Sequence, residues 1–415
     1  MNIPDNLRPK LDRLQSTAFI FGVIGALVCV VGAVTSPEAF TRGYLPAYLF
    51  WLGVTTGSLF LLSLHHTVGG GWGFIIRRPM EAAIRLLPLM LVLFIPIAIG
   101  MEHLYGGHHG WMRPYNDLDK ILQLKSVWLN QPFFLARTVF YFITWMAFAY
   151  FFYKWSGQQD ESDDPKILER LTLTGPPSIV WYVISITLAA IDWSMSITPH
   201  WFSSIYGLIF VVGQGLSTLA FMMILVAVIG GNKPPVEDVP QRYFRDLGNM
   251  TMAGTLLWAY TAFSQYIITY SGNVGEFVTW YLDRQGGGWK VVGFGLVIFH
   301  FVIPFLSLQS PALKVRVMNL YKLAFLILIM RFIDLSWLTA PNWYKSIPEA
   351  LPTILFQLAA FVGIGGIWLG LWAGQFKLRP LMPAHDPRLN EHWPLGSSKE
   401  HNADTHATQE VAHHG

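Results

Sequence analysis

The sequence predicts an all-α polytopic membrane protein with ten transmembrane helices. Three observations carry this prediction. Only 13% of the 415 residues are charged, 53% are apolar with a mean hydropathy of +0.41, and the apolar residues fall in runs long enough to span a bilayer. Soluble domains carry about 25% charged residues, so a soluble chain with half that share could not cover its surface with ions. The formal charge of +3 and the lack of any basic run also exclude nucleic acid as a partner.

A hydrocarbon core of about 30 Å takes about 20 residues of helix. Ten segments qualify: 15–34, 43–66, 84–103, 132–153, 175–197, 203–231, 248–270, 289–309, 315–340 and 347–374. The first follows Arg8, Lys10 and Arg13, but it is long and no small-residue cleavage site closes it, so it reads as a retained helix. The chain then divides into an N-terminus with the first helix (1–42), two four-helix bundles (43–202 and 203–346), a tenth helix (347–374) and a polar, His-rich tail (375–415).

Ten crossings put both termini on one side. That side holds about 18 Lys and Arg, among them Arg77, Arg78, Lys166, Arg170, Lys233, Arg242, Arg245, Lys314 and Arg316, against about seven in the opposite loops. The positive-inside rule therefore makes both termini cytoplasmic. The outer loop 104–131 is long, with Tyr105, His108, His109 and Trp111, and a loop of that length is expected to cover something. The tail, with His401, His406, His413 and His414, is expected to be solvated or to lie along a partner.

Helices five and nine end alike. Ile191-Asp192-Trp193-Ser194 and Ile333-Asp334-Leu335-Ser336 are each followed by proline seven residues after the aspartate (Pro199, Pro341) and tryptophan nine after it (Trp201, Trp343). The offset is 142 residues. Thr55-Thr56-Gly57-Ser58 and Gly213-Gln214-Gly215-Leu216 echo one another more weakly. Both members of each pair run the same way, which predicts a parallel repeat about an axis along the membrane normal.

An ionisable group at the bilayer centre costs about 2.5–3.5 kcal/mol on insertion scales, so each needs a partner or a role. The topology places Glu102, His103, Arg137 and Asp192 at similar heights in the first bundle. Arg331 and Asp334 share a face of the second, with His300 and Gln265 near them. Such a chain of carboxylates, arginine, histidine and water suits proton relay; pairing that merely sets helix register is the plainer alternative. His65, Glu81 and Lys322 form a candidate proton entrance on the cytoplasmic side.

The single cysteine, Cys29, excludes a disulfide, a Cys-ligated iron–sulfur cluster and a thiolate zinc site. No two histidines match in depth as haem b would need. No metal or intrinsic cofactor is expected.

Several segments resemble the NrfD-like F subunit (ActF) family of alternative complex III. They are Asp192-Trp193-Ser194-Met195-Ser196-Ile197-Thr198-Pro199-His200-Trp201-Phe202-Ser203-Ser204-Ile205-Tyr206-Gly207, the stretch Lys125-Ser126-Val127-Trp128-Leu129-Asn130-Gln131-Pro132-Phe133-Phe134 leading to Arg137, and His385-Asp386-Pro387-Arg388-Leu389. The resemblance covers nearly all of the chain except its last twenty or so residues. It implies a non-metal-binding subunit of a quinol:electron acceptor oxidoreductase with ten helices in two four-helix bundles. Its implied partners are a multihaem cytochrome c, an iron–sulfur protein, a sister NrfD-like C subunit, small membrane subunits, lipid and quinol. Haem c and iron–sulfur clusters would lie on those partners, and menaquinone or another quinone is the implied ligand. A secondary transporter with a parallel repeat and a purely structural anchor for peripheral redox subunits are the alternatives.

Overall fold

The computed structural model describes residues 7–107, 110–230, 241–383 and 385–392. His108, His109, Lys233 and the tail histidines from His401 onward lie outside the described residues. Among those described, all regular structure is helical. The helices are α1 Arg8–Thr35, α2 Pro37–Val68, α3 Gly71–Ile84, α4 Leu87–Val92, α5 Ile95–Ile99, α6 Met101–Tyr105, α7 Lys120–Lys125, α8 Gln131–Gln159 and α9 Pro165–Trp193. They continue with α10 Tyr206–Gly230, α11 Gln241–Gly272, α12 Gly275–Leu282, α13 Trp289–Gly295, α14 Ile303–Ser307, α15 Pro311–Lys314, α16 Val317–Thr339, α17 Ile347–Phe376 and α18 Pro387–His392. A π-helical stretch, Leu296–Val302, joins α13 to α14.

Eight helices or joined helices among the described residues are long and apolar enough to cross a membrane, or nine if the bent pair Gly71–Ile84 with Leu87–Ile99 is one span. This is a multi-pass helical membrane protein. The segment expected at 248–270 forms the 32-residue α11, but it is not among those spans; Thr, Ser, Gln and Tyr dilute its apolar run.

The expected helix 84–103 is the main departure. Helical structure begins earlier, at Gly71, and the span then bends by 42° and breaks into short pieces. Pro88 and Pro96, each in the first turn of a new piece, cannot continue the helical ladder. Around the second break Phe94 N–H donates to Leu91 O and Ile97 N–H to Phe94 O, which leaves the Met90 and Leu93 carbonyls without their helical donors. Tyr48 donates to Met90 O at 3.0 Å and Tyr44 to Leu93 O at 2.8 Å. In lipid no water would satisfy those oxygens, so the break exists only because α2 supplies two phenols.

The central helix is α2, which is buried along most of its length and touches α3, α9, α10, α16 and α17. Gly57 packs it onto α10, where an added Cβ would fall 2.3 Å from Thr218 Oγ1. The two weakly echoing segments thus face each other: Thr56 donates to Gln214 Oε1 at 2.9 Å, and Tyr182 of α9 donates to the same oxygen at 2.8 Å. Three indoles tie α17 to the body: Trp51 Nε1 to Phe361 O, Trp368 Nε1 to Thr55 Oγ1 and Trp372 Nε1 to Pro79 O, at 2.8–3.0 Å. On the outside of α17, α1 packs through small residues and turns Ile20, Leu27 and Val34 outward.

That outer seam depends on backbone contact. A Cβ on Gly25 would lie 2.4 Å from Gly363 N, so a side chain there must push the helices apart. Gly25→Val is expected to lower stability by about 1–3 kcal/mol, read as a lower unfolding temperature in detergent. Gly295→Ala, with nothing within 4 Å of the new methyl, is expected to be neutral or to stabilise by up to about 1 kcal/mol.

Candidate functional site

Two buried carboxylates, Asp192 and Asp334, stand near the ends of α9 and α16. Each ends its helix in the same way, with a 3₁₀ turn close behind: Met195–Ile197 in one case and Ala340–Asn342 in the other. Their surroundings differ.

Asp192 is fully buried and accepts four hydrogen bonds. Arg137 of α8 grips it with both Nε (2.9 Å) and Nη2 (2.8 Å), Trp128 Nε1 donates at 2.9 Å and Tyr141 at 3.0 Å. The guanidinium lies 4.1 Å from the centre of the Trp128 ring and 4.3 Å from that of Phe133, and it donates to Trp128 O at 2.9 Å. A bidentate pair with all acceptor positions filled is the strongest form of such a contact. The loop before α8 closes over it. Trp111 is buried against Tyr105 and Phe134, Lys125 Nζ donates to Pro199 O at 2.6 Å, and Asp119 meets His200 at 2.5 Å. The Leu122 N–H and the His200 imidazole hold the exposed Asp119 carboxyl below its usual range. The expectation that this loop covers something is met; it covers Asp192.

Asp334 is paired within its own helix, to Arg331 Nη1 at 2.5 Å, and accepts from Trp258 Nε1 of α11 at 3.2 Å. Gly213 makes room for the arginine, since a Cβ there would meet the guanidinium at 2.3 Å. His300, in the π-helical stretch, sets its ring edge against Trp258 with centroids 4.3 Å apart. Neither of its ring nitrogens has a partner, and neither has Gln265 Oε1. A π-turn is uncommon and frequently marks a functional position. Asp334 and Arg331 thus pair as expected, and Trp258, which the sequence did not single out, joins Asp334 to the expected His300; the expected Gln265 bonds Tyr281 instead, at 3.4 Å.

The first group does not assemble as expected. Glu102 is exposed, and His103 turns to a cleft on the other side of the span; neither touches Arg137 or Asp192. The last turn, Met101–Tyr105, instead presents Tyr105 to α8 and α9, where it donates to Trp193 O at 2.9 Å and packs on Phe134. The cleft measures about 400 Å³ and is bounded by α1, α2, α5 and α17, with Cys29, Thr41, Tyr44, Pro96, His103 and Ile364 on its walls.

At the end where Asp12 of α1 meets Lys377 after α17, Lys322 falls away from the expected trio. Lys322 is exposed, whereas His65 and Glu81 are buried. Glu81 belongs to a charge network that spacing alone did not reveal. Arg77, read from sequence as a loop cation, is a fully buried residue of α3. It donates to Glu81 (2.9 Å), Asp386 (2.8 Å), Ser156 (3.0 Å) and Gln159 (2.7 Å). Arg78 donates to Glu81 at 2.6 Å and pairs with Asp160. Burial opposes ionisation of Asp386, but hydrogen bonds from Arg388 and the charge of Arg77 outweigh it and hold the carboxyl below its usual range.

Arg284 was also missed. It is a buried cation of the loop after α12, with its guanidinium 3.3 Å from the Trp280 ring centre. It donates to Trp337 O, Leu338 O and Asn342 Oδ1 at 2.9–3.2 Å, filling the free carbonyls that end α16. Trp280 in turn stacks on Trp201 at 4.7 Å, next to the Asp192 segment. The only sequence signal was an arginine among tryptophans and glycines.

No protein-family model matches the chain, and no curated protein is similar to it.

Removing one partner of the Arg137–Asp192 pair leaves an uncompensated buried charge, which costs about 3–5 kcal/mol. Arg137→Gln is therefore expected to lower the unfolding temperature in detergent sharply, and Tyr141→Phe to cost about 1.5–3 kcal/mol. Combining Arg137→Gln with Asp192→Asn is expected to restore part of the loss, because the stranded charge is gone. Additive losses in that double variant would disprove the pairing energy.

Proposed function

We propose that this chain is the integral F-type subunit of a quinol:electron acceptor oxidoreductase of the alternative complex III kind, and that it conducts protons coupled to quinol oxidation by its partners. In this reading α11 is a further crossing, since 32 residues of helix reach about 48 Å at 1.5 Å each. The count becomes ten, with both termini cytoplasmic in a bacterial inner membrane. α2–α9 and α10–α16 are then the two bundles of a parallel repeat, flanked by α1 and α17. Haem c and iron–sulfur clusters belong to the partner subunits, and menaquinone or another quinone is the redox carrier.

One observation supports the proton reading above the rest. The same point of a repeated motif carries a buried carboxylate in each half, each paired with arginine and each given an indole N–H. The arginines do not follow the repeat: Arg137 reaches across from α8, whereas Arg331 is on the same helix as Asp334. Membership in the complex rests on the sequence resemblance.

The unequal surroundings of the two carboxylates favour a division of labour. Asp192, with four donors, is a fixed ionic anchor that holds α8, α9 and the outer loop together. Asp334 has fewer donors, and the Trp258 that serves it also packs against the unpartnered His300. The second bundle is therefore the more active half of the relay.

In proteoliposomes holding the intact complex, Asp334→Asn is expected to lower the protons moved per electron at least twofold while quinol oxidation continues. Asp192→Asn is expected to act mainly on assembly and stability. The reading is lost if both variants assemble and move protons as the wild type does, and the anchor role then remains.

A further inference from the structure

Among the described residues six cations are buried: Arg77, Arg78, Arg137, Arg284, Lys314 and Arg331. Four of them meet a carboxylate at 2.5–2.9 Å. Arg284 has none, but the carbonyls of Trp280, Trp337 and Leu338 and the Asn342 amide oxygen take its place. Lys314 has neither. Its ammonium donates to Asn249 Oδ1 at 2.7 Å and rests 3.7 Å from Met252 Sδ, a weak acceptor. An ammonium carries three donors, so one N–H and the charge itself stay without a counterpart. Buried lysines are almost always paired, and the partner this one lacks is an anion.

The fold builds a place for it. Lys314 ends α15, in the connection between two spans, and its stem lies on Gly248 of α11. A Cβ on that glycine would fall 2.9 Å from Lys314 Cγ, so a side chain there would displace the lysine. Asn249 and Met252 share this face of α11, and so does Arg245, one turn earlier. Arg316 follows at the start of α16. Arg245 and Arg316 are exposed, and neither has an ion pair among the described residues. Asp246, next to Arg245 in sequence, pairs with none of the three.

Beside these cations the surface turns apolar. Leu256 and Leu257 of α11 and Leu306 of α14 are exposed, on two helices that touch. Cations that border a lipid-facing surface suit a ligand with an anionic head and hydrocarbon tails, whereas a free phosphate would use only the first. The count of Lys and Arg turns this rim to the cytoplasmic leaflet, whose anionic lipids attract basic segments.

We propose that the junction of α11, α15 and α16 binds an anionic phospholipid, whose phosphate pairs with Lys314 and is flanked by Arg245 and Arg316. The lipid braces α11, the long helix whose apolar run is diluted by polar residues, against α15. This site stands independently of the proton-conducting reading, which uses none of its residues.

Native mass spectrometry of the full chain, with defined lipid added to the detergent, tests the site. Phosphatidylglycerol is expected to stay bound in preference to phosphatidylcholine, and to raise the unfolding temperature where phosphatidylcholine does not. Arg245→Gln/Arg316→Gln, which leaves the buried Lys314 contact in place, is expected to weaken phosphatidylglycerol binding about tenfold. Lys314→Gln keeps a donor for Asn249 and should remove the preference. Lys10→Gln/Arg13→Gln takes two cations from the exposed start of α1 and should change neither readout. No preference in the wild type, undiminished binding in the arginine variant, or an equal loss in the α1 variant overturns the site. A preference retained in Lys314→Gln overturns the pairing with that lysine. Inorganic phosphate should neither compete nor stabilise; if it does either, the anion is a free one and the lipid assignment is overturned.

Discussion

A charge inside a bilayer has to be neutralised by the protein itself, because hydrocarbon supplies neither counterions nor hydrogen bonds. Much of this structure follows from that constraint. Asp192 is held by Arg137 and Tyr141 of α8 and by Trp128 of a loop that would otherwise have no reason to fold inward. Asp334 needs α11 to bring Trp258 and α10 to leave a glycine for Arg331. Arg77 draws in a segment 309 residues away in sequence. Each buried ion is thereby a statement about which helices must be neighbours.

The same constraint acts on the backbone. The broken span between Leu87 and Tyr105 would strand carbonyl oxygens in lipid, and Tyr44 and Tyr48 answer them. Arg284 does the corresponding work at the end of α16, and its ring stack through Trp280 and Trp201 joins that end to the segment after α9. Irregular backbone is tolerated here only where a neighbouring helix completes its hydrogen bonds. The break also decides chemistry, since it turns His103 away from Asp192 and towards the apolar cleft.

The pairing of Arg137 with Asp192 was legible because each residue is costly in an apolar run and both fall at one height. Arg331 with Asp334 was legible from their spacing on one helix face. Arg77 and Arg78 were read as loop cations because a sequence shows where charge is, and not what it faces. Glu81 lies within one helical turn of both, but their other carboxylate partners, Asp160 and Asp386, lie 82 and 309 residues away, beyond the reach of any local pattern. Glu102 and His103 were grouped with the first pair because equal height was taken for contact; the helix break separates height from direction.

Sequence by itself determined that this chain is a helical membrane protein, where most of its helices run and which two aspartates lie within its apolar helices. Those properties follow from apolar runs and from the cost of charge in lipid, which are local and nearly additive. Only the tertiary structure decided which arginine meets which carboxylate, that two adjacent histidines stand unpartnered among aromatic rings, and that one carboxylate is saturated while its counterpart is not. Such differences depend on angles around helix axes and on contacts between distant segments. A linear pattern carries depth in the membrane, but rotation and partnership are settled by packing.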